Sequence, residues 1–159
     1  MMEKVTDSEL AAWRSFLKTH AQIIEFIERD LAEERRVPLT SYDVLIVLFE
    51  APDRKLRLGE LTKKLVLTKS GLTRMADRLE KEGLIVRIKS EQDRRGAFAV
   101  LTSAGEEQLR KAWPIYARGI KQYFTAGVSE EDLLHLKNTL DAIQEGMSPK
   151  IQSMEESKQ

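Results

Sequence analysis

The sequence predicts a mainly α-helical fold of six helices interrupted by one small β-hairpin, and three observations carry that prediction. Apolar residues recur at helical spacing near both ends of the 159-residue chain, at Leu10, Trp13, Leu17, Ile24 and Leu31 and again at Leu133, Leu136, Leu140, Ile143 and Met147. That is the pattern of helices buried along one face. Two shorter helical segments, about 58–66 and 69–82, follow each other across a tight break at Leu67-Thr68. Residues 85–101 then change character: two β-prone runs flank a charged tip in which Arg94 and Arg95 precede Gly96.

The first helix begins near Thr6-Asp7-Ser8-Glu9, where a Thr followed three residues later by Glu fits a capping box. Leu10, Leu17, Ile24 and Leu31 repeat every seven residues with Trp13, His20 and Ile27 between them, a seam suited to a partner helix. Val37-Pro38 ends it, because proline disfavours helix in the preceding residue. Thr40 or Ser41 is the expected N-cap of a second helix, largely buried through Leu45, Ile46, Leu48 and Phe49 and closed by Ala51-Pro52-Asp53. Lys55-Leu56-Arg57-Leu58 reads as one short strand, and Leu58, Leu61, Leu65 and Val66 give the third helix its core face.

In the fourth helix Leu72, Met75, Ala76 and Leu79 form an apolar stripe, and Gly83 terminates it as a left-handed cap. After the hairpin, Thr102 caps a fifth helix expected to reach about Ala126, with Leu109, Trp113, Tyr116, Ile120 and Tyr123 on one side. Pro114 should kink it or mark a boundary. Ser129 caps the sixth helix, whose apolar positions extend weakly to Ile151 and Met154 before residues 155–159 fray. The expected division is 1–37 and 102–159 for dimerisation around a central module at 38–101. Long seams at both ends of a small chain are best satisfied by a second copy, giving a two-fold dimer.

With 42% hydrophobic and 33% charged residues the chain belongs to the soluble globular class, and neither a membrane span nor a secretory leader is expected. The absence of cysteine excludes disulfides, thiolate metal sites and thiol redox sensing, and makes a cytoplasmic location the default. The formal net charge of zero hides an asymmetry. Residues 54–96 hold 13 Lys/Arg against 6 Asp/Glu, a net +7, and the rest of the chain carries −7. A basic centre between acidic arms is an electrostatic footprint for a polyanion.

A helix that enters the DNA major groove needs short polar or basic side chains near its N-terminus, facing away from the core. The fourth helix offers Lys69, Ser70, Thr73 and Arg74, with Arg74 able to make a bidentate contact to guanine. Lys63, Lys64 and Lys69 would neutralise phosphates without reading sequence. An arginine-tipped hairpin suits the narrow, electronegative minor groove. There Asp93 can orient one of two guanidiniums, Arg94 or Arg95, for insertion.

The Ser70-Gly71-Leu72-Thr73-Arg74 start of the fourth helix, Asp77-Arg78-Leu79-Glu80, Gly83-Leu84-Ile85, Asp93-x-Arg95 and Leu101-Thr102 together resemble the core of the MarR family of bacterial transcriptional regulators. The resemblance implies a homodimer with a winged helix–turn–helix in each subunit and a pseudo-palindromic double-stranded DNA operator. The recognition helix would lie in the major groove and the wing, 91–96, in the minor groove. It makes Ser70, Thr73 and Arg74 base or phosphate contacts and Asp93, Arg94 and Arg95 the wing. Arg78 also matches a family position, with a role that could be partly internal through Asp93 or Asp77.

Many family members bind small aromatic or phenolic acids between the dimerisation helices and the DNA-binding lobe. Trp13, Arg14, His20 and Tyr42 are the candidate liners here, and all four also fit as core or dimer-seam residues. No metal or cofactor is expected. Two histidines, His20 and His135, and eight scattered glycines provide neither a nucleophilic triad nor a phosphate loop, so an enzyme is not expected. The rival is a winged-helix protein–protein adaptor, whose acidic or apolar recognition face the +7 centre argues against.

Overall fold

The computed structural model of the protein describes residues 4–65, 69–89 and 96–156. The described elements are α1 (Asp7–Glu33), α2 (Leu39–Glu50), β1 (Lys55–Arg57), α3 (Leu58–Leu65), α4 (Lys69–Lys81), β2 (Ile85–Lys89), β3 (Ala97–Leu101), α5 (Ser103–Gly119) and α6 (Glu130–Glu156). A short 3-10 turn, Pro52–Arg54, leads into β1, and a π-helical turn, Ile120–Phe124, follows α5. The chain divides into two compact units, Met1–Ile120 and Lys121–Gln159. Among the described residues no helix is long and apolar enough to cross a membrane.

Several ends form as local chemistry dictates. Thr6 and Glu9 make the reciprocal capping box, with Glu9 N–H donating to Thr6 Oγ1 at 3.2 Å and Thr6 N–H to Glu9 Oε2 at 2.7 Å. At the end of α4, Gly83 takes φ +73° while its N–H reaches the Glu80 carbonyl and the Leu84 N–H reaches that of Leu79. This six-to-one and five-to-two pair is the Schellman closure that glycine permits. Thr102 caps α5 by accepting from Gly105 N–H at 3.0 Å, and its hydroxyl donates to the Gly83 carbonyl at 2.7 Å. One threonine therefore starts α5 and fastens the end of α4. Ser129 caps α6 through the Asp132 N–H at 3.1 Å.

Four expectations need correction. The N-cap of α2 is Pro38, not Thr40 or Ser41, because Glu28 of α1 accepts the Leu39 N–H at 3.0 Å and serves the helix end from a distance. Ser41 is instead buried inside the first turn of α2. The α1 seam does not face one partner along its length: Ile27 and Leu31 sink into the chain's own core, while Trp13, Phe16, Leu17 and Ile24 stay exposed. In α5 the buried side is Gly105, Leu109, Ala112, Ile115 and Gly119, with Trp113 half exposed. Small residues let α1 approach, since a β-carbon on Gly119 would come within 2.7 Å of Ile27 Cγ1. Pro114 lies inside α5, where it is exposed and water can donate in place of the N–H that it lacks. The α-helical geometry ends at Gly119 rather than near Ala126.

Val66, the break at Leu67-Thr68 and the tip residues Asp93, Arg94 and Arg95 lie outside the described residues. The strands form a three-stranded antiparallel sheet in the order β1-β3-β2. Lys55 to Arg57 pair with Val100 to Phe98, and Ile85 to Lys89 pair with Leu101 to Ala97. Ile85, Ala99 and Leu101 lie on the buried face. They join Leu39, Val44, Leu45 and Leu48 of α2, Leu61 of α3, Leu72, Ala76 and Leu79 of α4, and Leu109 and Ile115 of α5 in one core. Burying a side chain of this size contributes roughly 1.5–3 kcal/mol before entropy is counted. That core fixes α4 beneath α2 and beside β2.

Candidate nucleic-acid interface

Alternation along α4 divides it cleanly. Leu72, Ala76 and Leu79 are buried and Met75 is half-buried, so Ser70, Thr73, Arg74 and Asp77 are left on the exposed side. The predicted polar N-terminal face of the recognition helix is therefore present, opposite the core stripe. Lys63 and Lys64 end α3 with exposed side chains, ahead of α4. Lys69 is the first residue of α4. From Lys63 to Arg74 the sequence holds hydroxyls and cations with no carboxylate, Glu60 lying one turn earlier in α3 and Asp77 one turn later in α4.

Arg78 has a bond that sequence reasoning did not foresee. Its Nη2 donates to Ser41 Oγ at 2.7 Å and lies 3.0 Å from Met75 Sδ. The partner in the described structure is thus α2, not Asp77, which is engaged elsewhere; Asp93 lies outside the described residues. Ser41 is 1% exposed, and its hydroxyl receives the guanidinium that ties α4 to α2. The first turn of α2 has exchanged a capping role for an anchoring one.

Sequence reasoning also missed Arg87. From β2 it donates through Nε and Nη2 to Glu80 Oε2 at 2.8 and 2.6 Å, and its backbone N–H reaches Glu80 Oε1 at 3.0 Å. Its Nη1 lies 2.7 Å from Asp77 Oδ1. These bonds hold the Glu80 carboxyl below the usual carboxylate range and the guanidinium above its ordinary value. Asp77 and Glu80 stand three residues apart, on one helical face, and Arg87 follows buried Ile85 by two, on one strand face. That spacing was the available signal.

The four candidate ligand-lining residues separate. Trp13 and His20 stand exposed on α1 with Phe16 between them, its ring 6.2 Å from each. Arg14 is exposed on the same helix. Tyr42 is buried and meets Tyr116 of α5 edge-on at 5.0 Å. Desolvation raises both phenols above their ordinary value, so both are neutral at physiological pH.

Comparison with known proteins agrees with this geometry. Residues 37–96 match the model of the MarR family. The HTH-type transcriptional regulator YkoM of Bacillus subtilis is 30% identical over 130 residues, covering 82% of each chain. The transcriptional repressor MprA of Escherichia coli is 31% identical over 117 residues, 74% of this chain and 64% of that protein. The crystal structure of Sco3205, a MarR family transcriptional regulator from Streptomyces coelicolor in complex with DNA, superimposes with a TM-score of 0.86. It is 31% identical, with 92% of each chain covered. The winged helix–turn–helix built by α3, α4 and the sheet thus defines a DNA-binding transcriptional regulator. The chain belongs to the MarR family.

Proposed function

We propose that this regulator is a cytoplasmic homodimeric repressor that reads a pseudo-palindromic operator and releases it on binding a small aromatic or phenolic acid. The observation that carries the reading is the exposed run Ser70, Thr73 and Arg74 on α4, opposite the buried stripe and braced to α2 through Arg78 and Ser41. In this reading α4 enters the major groove, Arg74 and Thr73 contact base edges, and Ser70, Lys63, Lys64 and Lys69 contact phosphates. Arg95, oriented by Asp93, enters the minor groove, with Arg94 as the alternative. Arg78 acts chiefly by bracing the helix.

Residues 1–37 and 102–159 serve dimerisation and residues 38–101 bind DNA. Support for the dimer comes from each unit separately. Unit one exposes Trp13, Phe16, Leu17 and Ile24 on α1, and unit two exposes Leu134, Leu136, Ile143 and Met147 on α6. Large apolar side chains repeated along a helix mark an interaction surface. Effector binding rests on the exposed Trp13–Phe16–His20 rings and Arg14, an aromatic and cationic set suited to an aromatic carboxylate. MprA, a transcriptional repressor, and Sco3205, solved in complex with DNA, support repression and operator binding by analogy.

The test is a gel shift with DNA from upstream of the protein's own gene, combined with sedimentation. The reading expects two copies per operator and, if about ten phosphates are neutralised, a log–log salt slope near −9. Operator binding that is weak, monomeric and flat with salt would contradict it. Arg95→Ala should weaken operator binding and leave the dimer intact.

A further inference from the structure

We infer that Arg87 is a positioning residue for DNA recognition: by gripping Asp77 and Glu80 it makes the recognition helix and the wing move as one body. The inference rests on the proposed reading that α4 and the wing share one DNA site. Arg87 lies at the middle of β2, whose outer end, Lys89, leads directly into the hairpin tip. Its guanidinium spans two carboxylates one helical turn apart, and Glu80 also accepts its backbone N–H, so helix and strand are joined by four contacts through one residue. At the base of the hairpin, the Gly83 closure and the Thr102 hydroxyl fix where β2 leaves α4. Beyond that junction β2 is held through its pairing with β3, and the Arg87 grip, farther out along β2, adds a direct tie between the strand and α4. A β-strand rises about 3.3 Å per residue, so a small rotation at Arg87 grows along the hairpin.

Exposure sharpens the argument. The side chains of Arg87, Glu80 and Asp77 are 31%, 36% and 55% exposed, and ion pairs of that kind add little to global stability. A network with little to offer the fold, placed between the two DNA-contacting elements, has geometry as its main product. It also leaves two carboxylates on the helix that meets a polyanion, where charge alone would disfavour them.

Those two effects have opposite signs, and the sign is the test. Asp77→Asn/Glu80→Gln removes two negative charges, so electrostatics alone predicts tighter operator binding. Loss of positioning predicts weaker binding, about fivefold or more for a network of this kind, with far-UV circular dichroism unchanged. Asp77→Asn alone, which removes one contact, serves if the double variant folds poorly, and should weaken binding by a smaller factor. In a chain already carrying Arg94→Ala/Arg95→Ala, the same substitutions should change affinity by less than about twofold, because no tip remains to be positioned.

Unchanged or tighter operator binding by the carboxylate variants, with the unaltered protein binding normally, overturns the inference alone. So does an equal loss in both backgrounds, which a merely structural role would give. Failure of the unaltered protein to bind operator DNA overturns the inference together with the reading beneath it.

Discussion

Gly105, in the first turn of α5, is the position where a single added methyl group should be felt both in stability and in DNA binding. Glycine to alanine inside a helix ordinarily helps by about 1 kcal/mol. At Gly105 a β-carbon would collide with the Leu84 carbonyl oxygen and come within 2.7 Å of Leu101 Cδ1. Backbone cannot rotate away as a side-chain tip can, which puts the overpacking cost near the top of its usual range, about 3 kcal/mol. The difference leaves Gly105→Ala destabilised by about 2 kcal/mol, or a fall in Tm of roughly 4–8 °C for a chain of this size. Gly59 in α3 is the control, because a β-carbon there meets nothing within 4 Å and alanine should be neutral or mildly stabilising. The displaced atom matters functionally, since the Leu84 carbonyl also accepts the Thr102 N–H at 3.1 Å, at the junction of recognition helix and wing. Thermal and urea denaturation would measure the stability, and polarisation of labelled operator the affinity, which should fall even well below Tm. A Gly105→Ala variant as stable as Gly59→Ala would refute the packing argument.

Three further outcomes follow from the same geometry. Arg35 closes α1 at φ 54°, a left-handed conformation that costs a residue with a β-carbon about 1 kcal/mol, so Arg35→Gly should raise the urea midpoint by about 0.5–1 kcal/mol equivalent; a lower midpoint would contradict this. Ser41→Ala removes the hydroxyl that receives Arg78 and should cost about 1 kcal/mol and some operator affinity, with a double-mutant cycle against Arg78→Ala showing that the two losses do not add. The Glu80 carboxyl is held below its ordinary value chiefly by the Arg87 hydrogen bonds, so its contribution is complete above the unfolded pKa of about 4.3 and disappears as pH falls through the folded value. The Tm difference between the unaltered protein and Glu80→Gln should accordingly be flat from pH 8 to about pH 5 and shrink in acid; growth on acidification would reverse the sign of the argument.

What was readable in the sequence was mostly local. The Thr6–Glu9 box, the Gly83 closure, the Thr102 cap and the Leu72–Ala76–Leu79 stripe each depend on residues a few positions apart, and each formed. What was not readable depended on distant parts of the chain. Pro38 could begin α2 because Glu28, eleven residues back, supplies the missing acceptor. The α5 surface facing α1 uses Gly119, which a search for large apolar residues passes over. Trp113 and Ile24 look like core by spacing but are 52% and 38% exposed, because the described residues of their own compact unit cover them only in part. At the site, the polar face of α4 was evident from its spacing. The internal partners of Arg78 and the Arg87 grip were not, since both pair residues across separate elements.

Chemical probing of the operator tests the central claim, that α4 reads the major groove while the wing occupies the minor groove. Guanine N7 is exposed in the major groove and adenine N3 in the minor groove, so dimethyl sulfate reports both in one experiment. The account predicts two symmetric patches of N7 protection centred about one helical turn apart, or a multiple of that, each flanked by N3 protection. Arg74→Ala should lose the first signal and Arg94→Ala/Arg95→Ala the second. Protection confined to one groove, or an unchanged pattern in both variants, would contradict it.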